Sequence, residues 1–375
     1  MELRKVLEEM MRRNASDLHI FAGFPPTFRI DGCLQPMDDA ALTPEAMVEL
    51  ADCVLSVEQR AEFEETQEID FGFGVPGLGR FRANVSRQRG TLAMVFRFVP
   101  FDVPTPEDLL LPDAIPGIAR SSSGLVLVTG ATGSGKSTTL ASMIQVVNHE
   151  RNAKIVTVED PIEFLHSRGR GLVAQREVGT DTKSFAAALR HALRQDPDVI
   201  MVGEIRDRET MELAITAANT GHLVLSTLHT PDAARTIERV VSFFPTHQHR
   251  EIRLLTASCL NAIVSLRLIP RSEGKGRVPA VEVMLCTPAI QEYIIDPEKT
   301  CAIRQAIREG CHQYGMQTFD QSLMRLLKEE VISYEDALAH ATSPDEFALK
   351  ARGIEGSSGG AWDMFESGPG EKIPS

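Results

Sequence analysis

Gly124-Leu-Val-Leu-Val-Thr-Gly-Ala-Thr-Gly-Ser-Gly-Lys-Ser-Thr138 reads as an apolar strand that enters a glycine-rich turn and leaves it as a helix reaching about Val147. Its second half fits the spacing GxxxxGK[ST] and has the flanking strand and helix which that motif needs. Glycines let a backbone close around phosphate oxygens, while N–H groups at a helix N-terminus point at the anion. Gly130, Thr132, Gly133, Ser134, Gly135, Lys136, Ser137 and Thr138 are therefore the expected cradle for ATP. In that cradle Lys136 reaches the β and γ phosphates and Ser137 ligates Mg²⁺.

Downstream, apolar segments at Lys154 to Val158, Val199 to Val202 and Leu223 to Ser226 alternate with helical stretches at Ser184 to Arg194 and Glu209 to Asn219. Strands alternating with helices predict an α/β fold with a mostly parallel sheet. From Pro245 onward the periodicity predicts mainly helix, at Ile252 to Leu268, Pro288 to Ile295, Cys301 to Gly310 and Phe319 to Glu330. Upstream, residues 1–100 form a different module. Its opening helix carries Leu3, Val6, Leu7, Met10 and Met11; short strands follow at Ser16 to Ile20 and Thr27 to Gly32, then a helix at Pro44 to Ser56. Alternating segments at Ile69 to Phe73, Gly79 to Val85 and Leu92 to Val99 predict an antiparallel sheet. Residues 101–118, rich in proline and acid, read as a linker, 119–350 as the nucleotide-binding domain, and 351–375 as a disordered Gly/Ser-rich tail.

Composition narrows the function. The formal net charge is −13, which disfavours general attraction to nucleic acid or to an anionic membrane. Cys33, Cys53, Cys259, Cys286, Cys301 and Cys311 include no C-x₂-C pair, so reduced thiols are expected rather than a zinc ribbon or a disulfide framework. With neither an export signal nor a long apolar run read in the sequence, the expectation is a cytoplasmic protein.

Four segments bear the candidate chemistry. Ile155-Val-Thr-Val-Glu-Asp-Pro-Ile-Glu163 sets Glu159, Asp160 and Glu163 beyond a strand end, where open α/β sheets bind ligands. Asp198-Val-Ile-Met-Val-Gly-Glu-Ile-Arg-Asp207 puts Glu204 at another strand tip, either to polarise an attacking water or as a helix N-terminal carboxylate. Thr220-Gly-His-Leu-Val-Leu-Ser-Thr-Leu-His-Thr230 brackets a strand with His222 and His229, as phosphate sensors or as satisfied core histidines. Seven residues of extended chain hold these two rings more than ~20 Å apart, which argues against a shared metal. In the first module Arg80 and Arg82 share a strand face and Arg97 stands on the next strand, either aimed at an anion or simply solvated.

The phosphate loop, Val-Glu-Asp-Pro-Ile-Glu at 158–163, Arg-Gln-Asp-Pro-Asp at 194–198, Gly-Glu-Ile-Arg-Asp at 203–207 and the two-histidine segment together resemble the secretion ATPase superfamily. Within it the chain is similar to the pilus-retraction, or twitching-motility, PilT/PilU group, from the opening helix through Ser-Asp-Leu-His-Ile at 16–20 to about residue 350. The pilus-assembly and type II secretion ATPases share the core but generally have a longer N-terminal region and a four-cysteine insert. The resemblance implies a PAS-like N-terminal domain, a RecA-like ATPase domain, and a ring homohexamer working on an inner-membrane platform protein at the cytoplasmic face of the membrane. It implies that Lys136 and Ser137 serve phosphate and Mg²⁺, that Glu159 and Glu163 form an acidic box near the metal, and that Glu204 is the catalytic glutamate. By the same resemblance His222 and His229 form the histidine box, and Arg82 and Arg97, with Arg80 a weaker candidate, are brought to the nucleotide.

One departure stands out. Retraction ATPases carry a late Ala-Ile-Arg-Asn-Leu-Ile-Arg-Glu motif, and two stretches here compete for it. Ala289-Ile-Gln-Glu-Tyr-Ile-Ile-Asp296 has the position without the arginines, while Ala302-Ile-Arg-Gln-Ala-Ile-Arg-Glu309 has the letters nearer the end. An accessory role beside a paralogous retraction ATPase thus stays open. So does a docking or merely solvated face for Arg304 and Arg308, four apart on one helix. Trp362 and Phe365 are read as parts of an unstructured tail, with a short partner-binding motif as the alternative. A small-molecule kinase needs an acceptor pocket and usually a lid, and a nucleic-acid motor conflicts with the acidic balance; both rank below a force-generating ATPase, as does a nonhydrolysing ring subunit.

Overall fold

The computed structural model describes residues 2–30, 32–38 and 40–353; the tail containing Trp362 and Phe365 lies outside the described residues. The chain divides into two compact units. The first comprises Met1–Asp102 with Asp160–Ser167 and Glu177–Lys183, and the second Val103–Glu159, Arg168–Arg176 and the chain from Ser184 onward.

In the first unit, β1 (Asp17–Phe21), β2 (Thr27–Ile30), β3 (Cys33–Pro36), β4 (Glu68–Val75), β5 (Gly79–Gln88) and β6 (Thr91–Val99) form an antiparallel sheet in the order β3-β2-β1-β6-β5-β4. Strand alternation gives it two unlike faces. Leu18, Ile20, Phe28, Phe71, Phe81, Val85, Met94 and Phe96 form one core with Val6, Leu7 and Met10 of the helix Leu3–Arg12, with Met47 and Leu50 of the helix Pro44–Val54, and with Phe63 of the helix Val57–Thr66. The opposite face carries Arg29, Asp17, Arg97, Arg82 and Asp70, brought side by side by the pairings Asp17↔Arg29, Asp17↔Arg97 and Arg82↔Arg97. A glutamate from the later segment also joins this unit. Glu177 lies 3.1 Å from Arg80 and accepts from Ile162 N at 3.0 Å. A Cβ on Gly72 would come within 2.6 Å of both Glu177 and Arg80, so the bare backbone there makes room for that pair.

In the second unit, β7 (Gly124–Gly130), β8 (Lys154–Glu159), β9 (Leu172–Glu177, whose last residue belongs to the first unit), β10 (Val199–Val202), β11 (Leu223–Leu228), β12 (Leu260–Pro270) and β13 (Arg277–Leu285) run in the order β13-β12-β7-β11-β10-β8-β9. Strands β8, β10, β11, β7 and β12 run parallel to one another, and β13 is antiparallel to β12. The helices Lys136–Glu150, Phe185–Ala192 and Arg208–Asn219 fall where the periodicity predicts them. The prediction for Ile252 to Leu268 is corrected. The helix His249–Cys259 stops when Leu260 turns extended (φ −69°, ψ 126°), and the chain becomes β12. Ala262, Ile263, Val264 and Leu266 are buried between β7 and β13. A strand buried on both faces reads as a continuous apolar run, which periodicity cannot separate from a buried helix. Beyond β13 the chain is helical, through Pro288–Ile295, Ile303–Glu309 and Phe319–Lys328 to Pro344–Ala351.

One buried acid in this unit has a pH signature. Glu282 of β13 accepts from Ala233 N at 2.9 Å, at the start of the helix Ala233–Ser242, and desolvation pushes its pKa up to about 7. A folded-state pKa above the unfolded value means that the native state holds the extra proton. The contribution is therefore complete below the ordinary carboxylate range and is lost as pH rises through about 7. Melting temperatures taken from pH 5 to pH 8 should fall more steeply for the native sequence than for Glu282→Gln; equal slopes would show that Glu282 does not titrate in the fold.

Candidate functional site

β7 delivers the chain into the phosphate loop at Gly130, where φ is 142° and an added Cβ would lie 2.5 Å from both Leu266 O and Ser134 Oγ. Gly133 and Gly135 continue the tight winding at φ 75° and 94°. Helix Lys136–Glu150 then begins with its N-terminus facing the loop. Lys136, only 8 % exposed, donates to Gly130 O at 2.9 Å and Ala131 O at 2.8 Å. Its ammonium is held inside the turn, at the point where a polyphosphate would be wrapped. Ser134 Oγ is buried without a hydrogen-bond partner. An unsatisfied hydroxyl within a loop of this shape suits an anionic oxygen, so the residues present fit a nucleotide phosphate.

The other acidic and imidazole groups reach the same end of the sheet by backbone anchoring. Glu159 is the last residue of β8 and accepts from Thr157 Oγ1 at 2.6 Å and Gln175 Nε2 at 3.0 Å. Glu204 follows β10 in a turn fixed on both sides. Gly203 N donates to Val158 O at 2.8 Å, Thr227 Oγ1 donates to Gly203 O at 2.7 Å, and Ile205 N donates to Thr227 O at 3.2 Å. Its carboxylate is 13 % exposed and ion-paired with Arg206. His229, just past β11, bridges the parts: Nδ1 is 3.5 Å from Lys136 Nζ and Nε2 is 3.4 Å from Glu204 Oε2. These are contacts at the outer limit of hydrogen bonding. Lys136, Ser137, Glu159, Glu204 and His229 thus stand at or just beyond the C-terminal ends of parallel strands, where ligands of such sheets bind.

One candidate of this unit does not join the group. His222 sits at the opposite end of β11, its Nδ1 3.0 Å from Ala217 O and its own carbonyl accepting from Gly124 N at 2.9 Å. Glu163, which is exposed, belongs to the first unit, as do Arg82 and Arg97. Arg97 donates to Asp17 at 2.8 Å, whereas Arg82 is 3.9 Å from Asp70. Arg304 and Arg308 on the helix Ile303–Glu309 pair with Asp320 and Glu346, each at 3.0 Å, and so fasten that helix to the helices Phe319–Lys328 and Pro344–Ala351. Sequence reading passed over Gln175 and Thr157, whose side chains donate to Glu159. Position two residues before a strand-end acid was a usable signal for Thr157; Gln175 lies on β9, which the periodicity did not disclose.

Among the described residues no three His, Cys, Asp or Glu side chains gather as a metal cage. Mg²⁺, which needs only one or two carboxylates beside phosphate and water, fits a donor set of the Ser137 hydroxyl and the Glu159 carboxylate. Gly130→Ala should collide with the Leu266 carbonyl, which the backbone cannot move cheaply. Titration with a fluorescent ATP analogue should show affinity at least ~10-fold weaker, as expected for a strained left-handed position; unchanged affinity would show that the loop does not hold the nucleotide.

Known proteins resemble this chain along most of its length. Residues 112–337 match the family described as type II/IV secretion system protein. The chain is 42 % identical to the type IV pilus ATPase PilU of Pseudomonas aeruginosa, over 93 % of this chain and 91 % of that protein. It is 44 % identical to the type IV pilus retraction ATPase PilT of the same organism, over 92 % of this chain and 100 % of that one. The crystal structure of the pilus retraction motor PilT with bound ADP superposes with a TM-score of 0.85 at 45 % identity, covering 92 % of this chain and 98 % of that one. With a phosphate loop, a strand-end glutamate and this degree of likeness along nearly the whole chain, the protein belongs to the type II/IV secretion system protein family, in its PilT/PilU group of type IV pilus ATPases.

Proposed function

We propose that this chain is an ATP-hydrolysing motor that drives type IV pilus retraction. The carrying observation is the series Lys136, His229 and Glu204 at the ends of β7, β11 and β10, with contacts of 3.5 and 3.4 Å. Lys136 offers its charge to the β and γ phosphates, Glu204 orients and polarises the attacking water, and His229 lies between them to register whether the γ-phosphate is present. Mg²⁺, held by Ser137 and Glu159 with Glu163 as a further candidate, would neutralise phosphate charge. The turn on either side of Glu204 is fixed by hydrogen bonds to two neighbouring strands, which limits the reorganisation that its water-orienting role requires.

The finer reading rests on family resemblance and on the two-unit architecture. The first unit, centred on residues 1–100, is assigned as PAS-like and the second, centred on 119–350, as RecA-like, with 101–118 linking them. Six copies form the ring, Arg82 and Arg97 bring positive charge to the nucleotide, and His222 completes the histidine pair. An inner-membrane platform protein receives the work, and the motor lies at the cytoplasmic face of that membrane; among the described residues no helix is long and apolar enough to cross it. An accessory role beside a paralogous ATPase is the second reading. It is favoured by Arg304 and Arg308, whose ion pairs with Asp320 and Glu346 engage them within the chain itself.

Free-phosphate release tests the proposal. Glu204→Gln and Lys136→Ala should each lower turnover by at least ~100-fold, the scale of a lost general base or charge stabiliser. Specific activity should also rise with protein concentration as copies assemble. Full turnover in Glu204→Gln would end the hydrolytic assignment, and concentration-independent turnover would end the ring.

A further inference from the structure

Ser16-Asp-Leu-His-Ile20 has no part in the catalysis proposed so far, yet its aspartate is a buried acid on the arginine-bearing face of the first sheet. Asp17 is 5 % exposed. Strand register sets it between Arg29 on β2 and Arg97 on β6. The two arginines are held differently. Arg29 turns its Nη1 to Gly32 O at 2.9 Å, whereas Arg97 gives its Nε–H to Asp17 Oδ1 at 2.8 Å. The second carboxylate oxygen of Asp17 accepts from Ser16 Oγ at 2.8 Å. Both oxygens are thereby engaged, and the carboxylate is fixed in rotation as well as position.

The consequence lies in which atoms of Arg97 are used. A guanidinium gripped through Nε keeps both Nη groups for another partner, and two parallel N–H groups in one plane match a phosphoryl group. The Arg97 side chain is 65 % exposed although its anchor is buried, so a buried acid aims an exposed cation. Arg82, directly across the β5/β6 ladder, lies only 3.9 Å from Asp70 and lacks a comparable grip.

We infer that Asp17, pinned by Ser16, is a positioning residue for Arg97: it presents the two Nη groups for the phosphoryl oxygens of the nucleotide. This rests on the assignment of Arg97 to the nucleotide made above. A loose arginine would spend most of its time misdirected, and misplacement by about 1 Å can cost ~100-fold in rate.

The test is a double-mutant cycle on the full chain, read as kcat and KM for ATP with melting temperature alongside. Asp17→Asn should lower kcat ~10- to 100-fold with KM nearly unchanged, and Asp17→Asn combined with Arg97→Ala should be no slower than Arg97→Ala alone. Arg29→Ala, whose guanidinium is held elsewhere, should turn over normally. If Asp17→Asn slows the Arg97→Ala background by its full factor, the aspartate acts elsewhere and the inference is overturned. If Arg97→Ala is slow while Asp17→Asn matches the native protein, the role of Arg97 stands and that of Asp17 falls. If Arg97→Ala is itself fully active, the assignment of Arg97 fails and the inference goes with it. Should Asp17→Asn not fold, Ser16→Ala, which changes an exposed residue and only releases Oδ2, carries the same cycle with an expected loss of ~3-fold; no loss in that variant overturns the proposal.

Discussion

The constraint on which the site depends is the space at Gly130. The register of β7 against β12 pairs Gly130 with Leu266, and the Thr129 and Ser265 hydroxyls, 2.8 Å apart, tie the same two strands one residue earlier. Because the loop passes between that neighbouring strand and the Ser134 side chain, its path leaves no room for a Cβ at residue 130. The path brings the carbonyls of Gly130 and Ala131 over the Lys136 ammonium and thereby fixes where its charge sits. His229 and Glu204 matter only in relation to that point. A site built on strand ends held by ladder hydrogen bonds inherits the rigidity of the sheet, which catalytic placement requires and a free loop would not supply.

Much of this could be read in the letters, for identifiable reasons. The phosphate loop declared itself because glycine and lysine at fixed offsets have few other uses, and Glu204 and Glu159 were legible as acids closing apolar runs. Strands β8, β10 and β11 were found because helices with a different period separate them. Strands β12 and β13 were not: a helix passes into β12 at Leu260 without a glycine or proline to mark the change. The two-sided burial of β12 also erased the alternation that would have named it, although Ser272-Glu-Gly-Lys-Gly276 between two apolar runs was a hairpin signal to weigh. Which histidine joins the site was beyond composition, since both bracket one strand and only topology says which end meets the loop.

The first unit divides its labour by parity. Even steps along β5 and odd steps along β6 supply charge to one face, and the intervening residues supply phenylalanine and other apolar side chains to the core. A one-residue slip would exchange the two sets and bury the arginines, so the hydrophobic core that stabilises the sheet also keeps the cationic face in register. The short acidic partners on that face, Asp17 and Asp70, limit repulsion among the arginines without taking up every donor.

The pair Glu177 and Arg80 has a consequence for how this protein can be taken apart. Since Glu177 belongs to the first unit although it follows Asp102 by 75 residues, that unit is not a continuous stretch of gene. A chimera joined after residue 102 would combine the Arg80 and Gly72 of one parent with the Glu177 of another. Any mismatch would leave a buried charge unpaired or a carboxylate without room. Inheritance therefore has to treat positions 72, 80 and 177 as a single character, and recombination between relatives is constrained by a linkage that no linear map of domain boundaries would display.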